Sequence, residues 1–317
     1  MRAVQVTEFG GPEVLEVADV PAPTPTGDQL LIRVDRAGVN YADTHQTENS
    51  YLAEQSVPFI PGSEVVGRTE DGRRVVAVCG TGGYAEYALA SPRTVFDVPD
   101  GVSDAAALAL IVQGTTAWHL LRTSARMSTG ESVLVVSAAG GVGSLAVQLA
   151  RLWGAGRVIG TASSPDKREL AVRLGADVAI DGSPEGLAER IVEANNGNRV
   201  DIVLEMTGGA VLDAALVSLA SFGRLVTYGS ASRTPGTDVP PSSLMTGSRA
   251  LIGFWLMDCV RKPPMMSEAM ADLFALVLSG DLKPQLGGDY PLSEAVTAHQ
   301  DLRSRVTVGK LVLDPSR

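Results

Sequence analysis

The segment from Ser132 to Trp153 constrains the fold of this chain more than any other. A β-branched run, Ser132–Ser137, leads directly into a glycine-rich turn, and an apolar helical pattern follows as far as Trp153. Glycine lets the backbone turn sharply and approach a ligand closely, and the first turn of a helix offers unpaired N–H groups and a positive dipole end. The spacing Gly141-x-Gly143-x-x-Ala146 is the dinucleotide-binding pattern in its alanine-ended form. The segment therefore predicts a site for a pyrophosphate.

Strands and helices alternate after this segment. This order predicts a doubly wound parallel sheet of six strands, because right-handed βαβ crossovers produce that arrangement. The predicted strands are Ser132–Ser137, Arg157–Thr161, Val178–Asp181, Asp201–Met206, Arg224–Gly229 and Ala250–Trp255. The predicted helices are Gly143–Trp153, Pro165–Leu174, Gly186–Asn195 and Gly209–Ala220, and residues 234–246 are predicted to form a loop.

The chain before this region is rich in strand patterns separated by turn signals, as in a small, partly open barrel. The strands are predicted at Ala3–Val6, Val14–Val20, Gln29–Ala37, Glu64–Arg68, Arg74–Val78 and Ala85–Leu89. A helix is predicted from Asp104 to Ala125, interrupted near residues 113–116. The tail contains two helical patterns, at 268–279 and 293–303, and a final strand, Lys310–Leu313. We expect this tail to pack on the N-terminal domain and the active cleft to lie between the two domains.

The composition of the chain argues against several classes of protein. A chain of 317 residues with 45% hydrophobic residues is long enough for two domains, and a net charge of −10 argues against a nucleic-acid partner. No apolar run is long enough to cross a bilayer, and the first residues do not resemble a signal peptide. The two cysteines, Cys79 and Cys259, do not form a spaced pair, which favours a reducing compartment and predicts a cytoplasmic protein.

The end of the second predicted strand of the parallel sheet indicates which nicotinamide cofactor the chain prefers. An NAD site carries an acid there for the ribose 2′-hydroxyl, but residues 161–164 contain none, and Lys167 and Arg168 follow. Hydroxyls with a cation suit a 2′-phosphate, so we predict NADPH over NADH. The same residues also read as an ordinary helix start, with Ser164 as the cap and Pro165 at the first position. Both interpretations can hold together.

Several further motifs occur in a characteristic order along nearly the whole chain. They are Ala37–Thr44, Pro61–Gly67, Gly114–Ala117, Ala138–Gly143, Ser163–Lys167 and Arg305–Lys310. With these motifs the chain resembles the zinc-independent branch of the medium-chain dehydrogenase/reductases, the quinone oxidoreductase or zeta-crystallin-like family. The resemblance implies an α/β protein with a GroES-like, partly open β-barrel catalytic domain (1–118 and 263–317) and a Rossmann dinucleotide-binding domain (119–262).

The resemblance also shows which positions would have to carry the ligands of a zinc ion. Zinc-dependent members place Cys near the position of Tyr41 and His at the position of Ser63, and this chain has neither ligand. It has no cluster of four cysteines, and its three histidines, His45, His119 and His299, are expected to be surface or packed residues. We therefore predict that the protein holds no metal.

The family pattern, carried over residue by residue, suggests the cofactor contacts. It places Asn40 and Thr116 near the nicotinamide and its ribose, and Ser163 and Lys167 at the 2′-phosphate. The remaining contacts would be Gly140, Gly141 and Val142 at the pyrophosphate, Tyr228, Gly229 and Ser230 along the adenosine–pyrophosphate channel, Phe254 beside the nicotinamide, and Arg305 reaching the cofactor from the tail. One position departs from the pattern: many quinone reductases have a Tyr after the third strand where this chain has Asp181-Gly182, which weakens the expected preference for NADPH.

Without zinc, the available chemistry is hydride delivery to a conjugated carbonyl, which needs a hydrogen-bond donor where charge develops on oxygen. The candidate donors are Asn40, Tyr41 and Tyr51. The first hypothesis is an NADPH-dependent quinone oxidoreductase. The alternatives are an enone or enoyl-thioester reductase with Tyr51 as proton donor, and an NADPH-binding protein with little turnover. Asp43 would orient a donor or cap a turn, and Glu64 would be structural at the domain junction.

The last predicted strand is apolar and would form the edge of the sheet. An unpaired apolar edge promotes aggregation unless another chain covers it. The family often joins two subunits through this edge, so the segment Ile252–Leu256 predicts a homodimer. Its aromatic pair, Phe254 and Trp255, either shapes an acyl pocket or simply packs at the interface.

Overall fold

The computed structural model describes residues 1–317, which divide into two compact units. The first unit contains Met1–Thr115 and Cys259–Arg317, and the second contains Thr116–Asp258. The tail therefore belongs to the same unit as the N-terminal region. No helix is both long enough and apolar enough to span a membrane.

The chain contains fifteen strands and eleven α-helices. The strands are β1 Arg2–Gln5, β2 Glu16–Asp19, β3 Leu30–Val39, β4 Glu64–Thr69, β5 Arg74–Val78, β6 Tyr87–Ala90, β7 Val95–Asp97, β8 Ser132–Val135, β9 Arg157–Ala162, β10 Val178–Asp181, β11 Val200–Glu205, β12 Leu219–Thr227, β13 Ala250–Gly253, β14 Leu286–Pro291 and β15 Lys310–Asp314. The helices are α1 Tyr41–Thr47, α2 Asp104–Leu108, α3 Thr115–His119, α4 Gly141–Leu152, α5 Pro165–Arg173, α6 Leu187–Ala194, α7 Gly209–Val217, α8 Pro241–Met245, α9 Leu256–Val260, α10 Pro263–Ser279 and α11 Ala295–Arg303.

The first unit is built on a seven-stranded sheet. Its order is β14-β15-β3-β4-β5-β7, with β6 also paired to β3, and every pair except β14–β15 is antiparallel. Strand β15 pairs with β3 so that Leu311 lies opposite Val39 and Leu313 opposite Ala37. This pairing joins the two ends of the chain around one apolar core, and it places Lys310 beside the end of β3.

The second unit is a six-stranded sheet in the order β10-β9-β8-β11-β12-β13, with every pair parallel. Its strands β8, β9 and β11 carry continuous apolar runs that are buried, as expected for a sheet covered on both faces. The doubly wound fold predicted from the alternating pattern is confirmed. From β8 the chain continues to β9 and β10 on one side of the sheet and then returns to β11 on the other side, so the strand order reverses between β8 and β11. Open parallel sheets bind ligands at such a point.

The structure corrects several element boundaries. The helix expected from Asp104 to Ala125 has no loop near residues 113–116. Instead, π-helical turns at Ala109–Gly114 and Leu120–Ser124 alternate with α2 and α3, so the helical run continues through Gly114. The last strand of the parallel sheet ends at Gly253, so Phe254 and Trp255 follow it rather than belong to it. The expected loop at 234–246 contains the short helix α8, and two strands, β7 and β14, were not predicted.

Candidate active site

The glycine turn before α4 is shaped as the sequence predicts. Ser137 adopts a left-handed conformation with φ 57°, and its carbonyl oxygen accepts the N–H of Gly140 at 2.9 Å. Any Cβ at Gly143 would overlap that carbonyl oxygen, and it would lie 2.9 Å from the Cα of Ala138. The helix begins at Gly141, two residues earlier than expected. The first N–H groups, those of Gly141, Val142 and Gly143, therefore have no acceptor within the helix and can bind a pyrophosphate.

The predicted 2′-phosphate site lies where β9 gives way to α5. Ser163 is exposed, and the Ser164 hydroxyl caps α5 by accepting the N–H of Lys167 at 3.4 Å. The Arg168 guanidinium donates to the Ala162 carbonyl and forms an ion pair with Asp181, each at 3.3 Å. Asp181 is opposite Ala162 in the strand register, so an acid does lie at this edge, on β10 rather than on β9. Hydrogen bonds from Ser183 and then the nearby arginines lower the pKa of this carboxyl.

The other predicted cofactor residues of the second unit follow strands β12 and β13 or begin α3. Tyr228 is half-buried and donates its N–H to Glu205 at 3.0 Å, while Gly229 and Ser230 are exposed. Phe254 donates its N–H to Thr227 at 2.9 Å, and its ring stacks on His119 with centroids 6.3 Å apart. Thr116 is buried in α3.

In the first unit, Asn40 is the centre of a buried polar cluster. Its Nδ2 donates to Glu64 Oε1 at 2.7 Å, and its Oδ1 accepts from Lys310 Nζ at 3.1 Å and from Gln113 Nε2 at 3.3 Å. Lys310 Nζ also donates to Val39 O at 3.2 Å and to Glu64 Oε1, with which it forms an ion pair. The side chains of Glu64 and Lys310 are fully buried. We call Asn40, Glu64, Gln113 and Lys310 the Asn40 cluster.

A second chain of hydrogen bonds adjoins this cluster. Asp43 Oδ2 accepts the backbone N–H of Asn40 at 2.8 Å and the hydroxyl of Tyr84 at 2.9 Å, and His299 Nε2 lies 3.1 Å from the same hydroxyl. Burial raises the pKa of Asp43 to about 7, against the lowering effect of its hydrogen bonds and of Lys310. Asp43 thus caps the start of α1 by accepting the Asn40 N–H, and its side chain is buried in the interior.

Tyr41 and Tyr51, the other candidate donors, are both half-buried. Tyr41 opens α1, where its ring lies 5.7 Å from that of His45, and Tyr51 lies in the irregular segment after α1. The structure does not bring either tyrosine into a hydrogen bond with Asn40. Arg305 is exposed and has a left-handed φ of 57° just after α11.

The residues present do not fit a zinc ion. No group of three or more His, Cys, Asp or Glu side chains is placed to hold a metal. All three histidines are buried, and His45 and His299 are hydrogen-bonded to Ser50 and Tyr84. Burial raises the pKa of Cys79, which disfavours the thiolate that zinc requires.

Comparison with known proteins agrees with this architecture. Residues 26–100 match the family model "Alcohol dehydrogenase GroES-like domain", and residues 141–275 match "Zinc-binding dehydrogenase". The quinone oxidoreductase of Rattus norvegicus is 33% identical over 99% of this chain and 97% of its own length. This chain belongs to the quinone oxidoreductase family of medium-chain dehydrogenase/reductases. Members of this family are NAD(P)H-dependent oxidoreductases.

Solved structures of the quinone oxidoreductase family superpose closely on this chain. A mycobacterial protein solved in complex with NADPH has a TM-score of 0.93 and 37% identity, over 99% of this chain and all of the other. The Thermus thermophilus quinone oxidoreductase, also solved with NADPH, has a TM-score of 0.89 and 37% identity over the same shares. The GroES-like and Rossmann fold expected from the resemblance is confirmed.

Sequence reasoning missed most of the polar groups around Asn40. Lys310 entered only through a closing motif and as the first residue of the last predicted strand, and Glu64 was expected to be structural. Gln113, Tyr84 and the ion pair of Arg168 with Asp181 were not predicted as parts of a site. A buried lysine so far along the chain from its carboxylate leaves no local pattern. In the folded chain Gly38 makes room for this buried acid, because a Cβ there would overlap the Glu64 carboxylate.

Proposed function

We propose that this protein is an NADPH-dependent quinone oxidoreductase that works without zinc. One observation carries the proposal: the turn before α4 leaves the N–H groups of Gly141, Val142 and Gly143 open at the carboxyl end of β8. The similarity to the Thermus thermophilus quinone oxidoreductase and to the mycobacterial protein, both solved with NADPH, supports the choice of substrate and cofactor.

In this proposal the α4 N-terminus binds the pyrophosphate, and Ser163 and Lys167 bind the 2′-phosphate. Tyr228, Gly229 and Ser230 line the path of the cofactor, while Thr116, Phe254 and Arg305 contact it elsewhere. When bound, NADPH supplies a hydride, and the quinone takes up this hydride and one proton to become a hydroquinone. Asn40 donates a hydrogen bond to a carbonyl oxygen, and Tyr41 and Tyr51 are the further candidate donors.

The test is NADPH oxidation with four acceptors: 1,4-benzoquinone, 9,10-phenanthrenequinone, a simple enone and crotonyl-CoA. We expect the quinones to be reduced by the wild type and by Tyr51→Phe at similar rates. Turnover of the enone or thioester that collapses in Tyr51→Phe would instead make the protein an ene-reductase with Tyr51 as proton donor. Tight NADPH binding without oxidation by any acceptor would indicate a cofactor-binding protein with little turnover.

The absence of zinc from the mechanism is tested separately. We expect the purified protein to contain far less than one zinc per chain by elemental analysis, and we expect a chelator to leave quinone reduction unchanged. Stoichiometric zinc, with loss of activity on its removal, would contradict this part of the proposal.

A further inference from the structure

The Asn40 cluster holds a complete ion pair in the interior of the first unit. Burying two charges costs free energy that their mutual attraction repays only when every polar atom is satisfied. Here Glu64 Oε2 and Gln113 Oε1 are buried and have no hydrogen-bond partner. The arrangement is therefore poor as a device for stability, and a role in positioning accounts better for it.

The charges around Asn40 determine which way its amide faces. Lys310 is an ammonium that can only donate, and it contacts Asn40 Oδ1. Glu64, as a carboxylate, can only accept, and it contacts Asn40 Nδ2. If the amide flipped, its NH2 group would face the ammonium and its oxygen would face the carboxylate, so both contacts would become repulsive.

This orientation limits what Asn40 can offer a ligand. Its Oδ1 already accepts two hydrogen bonds, from Lys310 and Gln113, and one of its two Nδ2 hydrogens goes to Glu64. Only the second Nδ2 hydrogen is left, on a residue that is 6% exposed. We propose that Lys310 and Glu64 are positioning residues that hold Asn40 as a donor, so that it selects a ligand carbonyl oxygen and does not accept from a ligand.

This inference rests on the proposed function, because the ligand carbonyl belongs either to the quinone or to the nicotinamide carboxamide. The chain has only five asparagines, at positions 40, 49, 195, 196 and 198, so selective ¹⁵N labelling of asparagine resolves the Asn40 amide by NMR. NADP⁺ alone and 9,10-phenanthrenequinone alone are added to the intact protein as separate probes. Both probes are oxidised compounds, so neither is turned over during the measurement.

We expect one Nδ2 hydrogen of Asn40 to exchange slowly in the free protein, because it is bonded to Glu64. One probe should shift the other hydrogen, and the identity of that probe assigns the carbonyl. In the double variant Lys310→Met/Glu64→Gln, which removes both charges that orient the amide, the difference between the two hydrogens and the ligand-induced shift should both be lost. The inference is overturned if neither probe shifts an Asn40 resonance, or if this double variant leaves the wild-type pattern intact.

Kinetics separate positioning from mere stability. With NADPH and 9,10-phenanthrenequinone, Lys310→Met should lower kcat by about 10- to 100-fold while both KM values change less than about threefold. Thr94→Val is the matched control, since it removes a buried hydrogen bond to Val78 O (2.8 Å) elsewhere in the same unit and should leave kcat unchanged.

The double variant Lys310→Met/Glu64→Gln decides the case if the single variant folds poorly. Neutralising both partners removes the unpaired buried charge, so the melting temperature should recover. The amide introduced by Glu64→Gln can present either its oxygen or its NH2 group, so the orientation of Asn40 stays undefined and kcat should stay low. Recovery of kcat together with stability would overturn the inference. A wild type that reduces no quinone would refute the proposed function, while the NMR measurement would still test the orientation of Asn40.

Discussion

The hydroxyl of Tyr84 links Asp43 to His299 in the interior of the first unit. The Tyr84 hydroxyl carries a single hydrogen, which it donates to Asp43 Oδ2 at 2.9 Å. The contact with His299 Nε2, at 3.1 Å, must then be one in which the imidazole N–H donates to the tyrosine oxygen. Burial lowers the pKa of His299 to about 4 and raises that of Asp43 to about 7, so the two groups make opposite contributions to the pH dependence of folding.

Asp43→Asn should change how stability depends on pH. Because the pKa of Asp43 is raised by folding from 3.8 to about 7, the unfolded chain releases this proton first. The contribution of Asp43 to the free energy of unfolding is therefore full below about pH 3.8 and is lost as the pH rises through about 7. Between these values the variant should gain on the wild type by up to about 1.4 kcal/mol per pH unit.

Urea unfolding at a series of pH values measures this difference. His299 works in the opposite sense, since its pKa falls from 6.5 to about 4 and its contribution is lost as the pH falls through that range. Both proteins retain His299, so its effect cancels in the comparison. Wild-type and variant curves that run parallel from pH 4 to 7 would show that Asp43 is not protonated in the folded state.

Gly143→Ala should destabilise the second unit and weaken NADPH binding. The new Cβ would overlap the Ser137 carbonyl oxygen, and the turn would have to open, at a cost of about 1–3 kcal/mol. Thermal unfolding and NADPH titration by fluorescence measure the two effects. Wild-type affinity in Gly143→Ala would remove this turn from the proposed cofactor site.

The ion pair of Arg168 with Asp181 should set the preference between NADPH and NADH. Asp181→Asn removes a negative charge beside the proposed 2′-phosphate site and releases Arg168, so the dissociation constant for NADPH should fall while that for NADH does not. Arg168→Ala should raise the dissociation constant for NADPH by about 5- to 30-fold, corresponding to about 1–2 kcal/mol.

Arg173→Ala is the control for these two variants, since Arg173 pairs with Glu169 at 2.7 Å on the exposed face of the same helix, α5. It should change neither dissociation constant. If Arg168→Ala weakens both cofactors equally, or neither, Arg168 does not read the 2′-phosphate. Equal affinity of the wild type for NADPH and NADH would refute the predicted preference itself.

The edge strand β13 remains the predicted dimer contact. It pairs only with β12, which leaves its other side open, and Ile252 on it is half-buried. Light scattering should give the wild type the mass of two 33.0 kDa chains. Ile252→Lys should shift the protein toward the monomer, whereas Val172→Lys on the exposed side of α5 should not. A monomeric wild type would contradict the prediction.

Local sequence patterns predicted much of this fold because the signals act over short distances. The alternation of β-branched runs with helical periods identified the parallel sheet, and the spacing of Gly141 and Gly143 located the start of α4 to within two residues. Boundaries were less certain where apolar runs continue beyond an element. The apolar character of Phe254 and Trp255 extended the predicted strand past Gly253, where the pairing with β12 ends.

The features of the candidate site also separate into those that depend on local sequence and those that depend on tertiary contacts. The sequence by itself determined the dinucleotide turn, the candidate contacts at Ser163 and Lys167, and the missing zinc ligands at Tyr41 and Ser63, because each depends on residue type at a fixed spacing. Only the tertiary structure decided that Lys310 meets Glu64, that Asp181 neutralises Arg168, and that Tyr84 joins Asp43 to His299. The reason is physical: sheet pairing brings together side chains from distant strands, and burial then makes their charges and hydrogen bonds depend on one another.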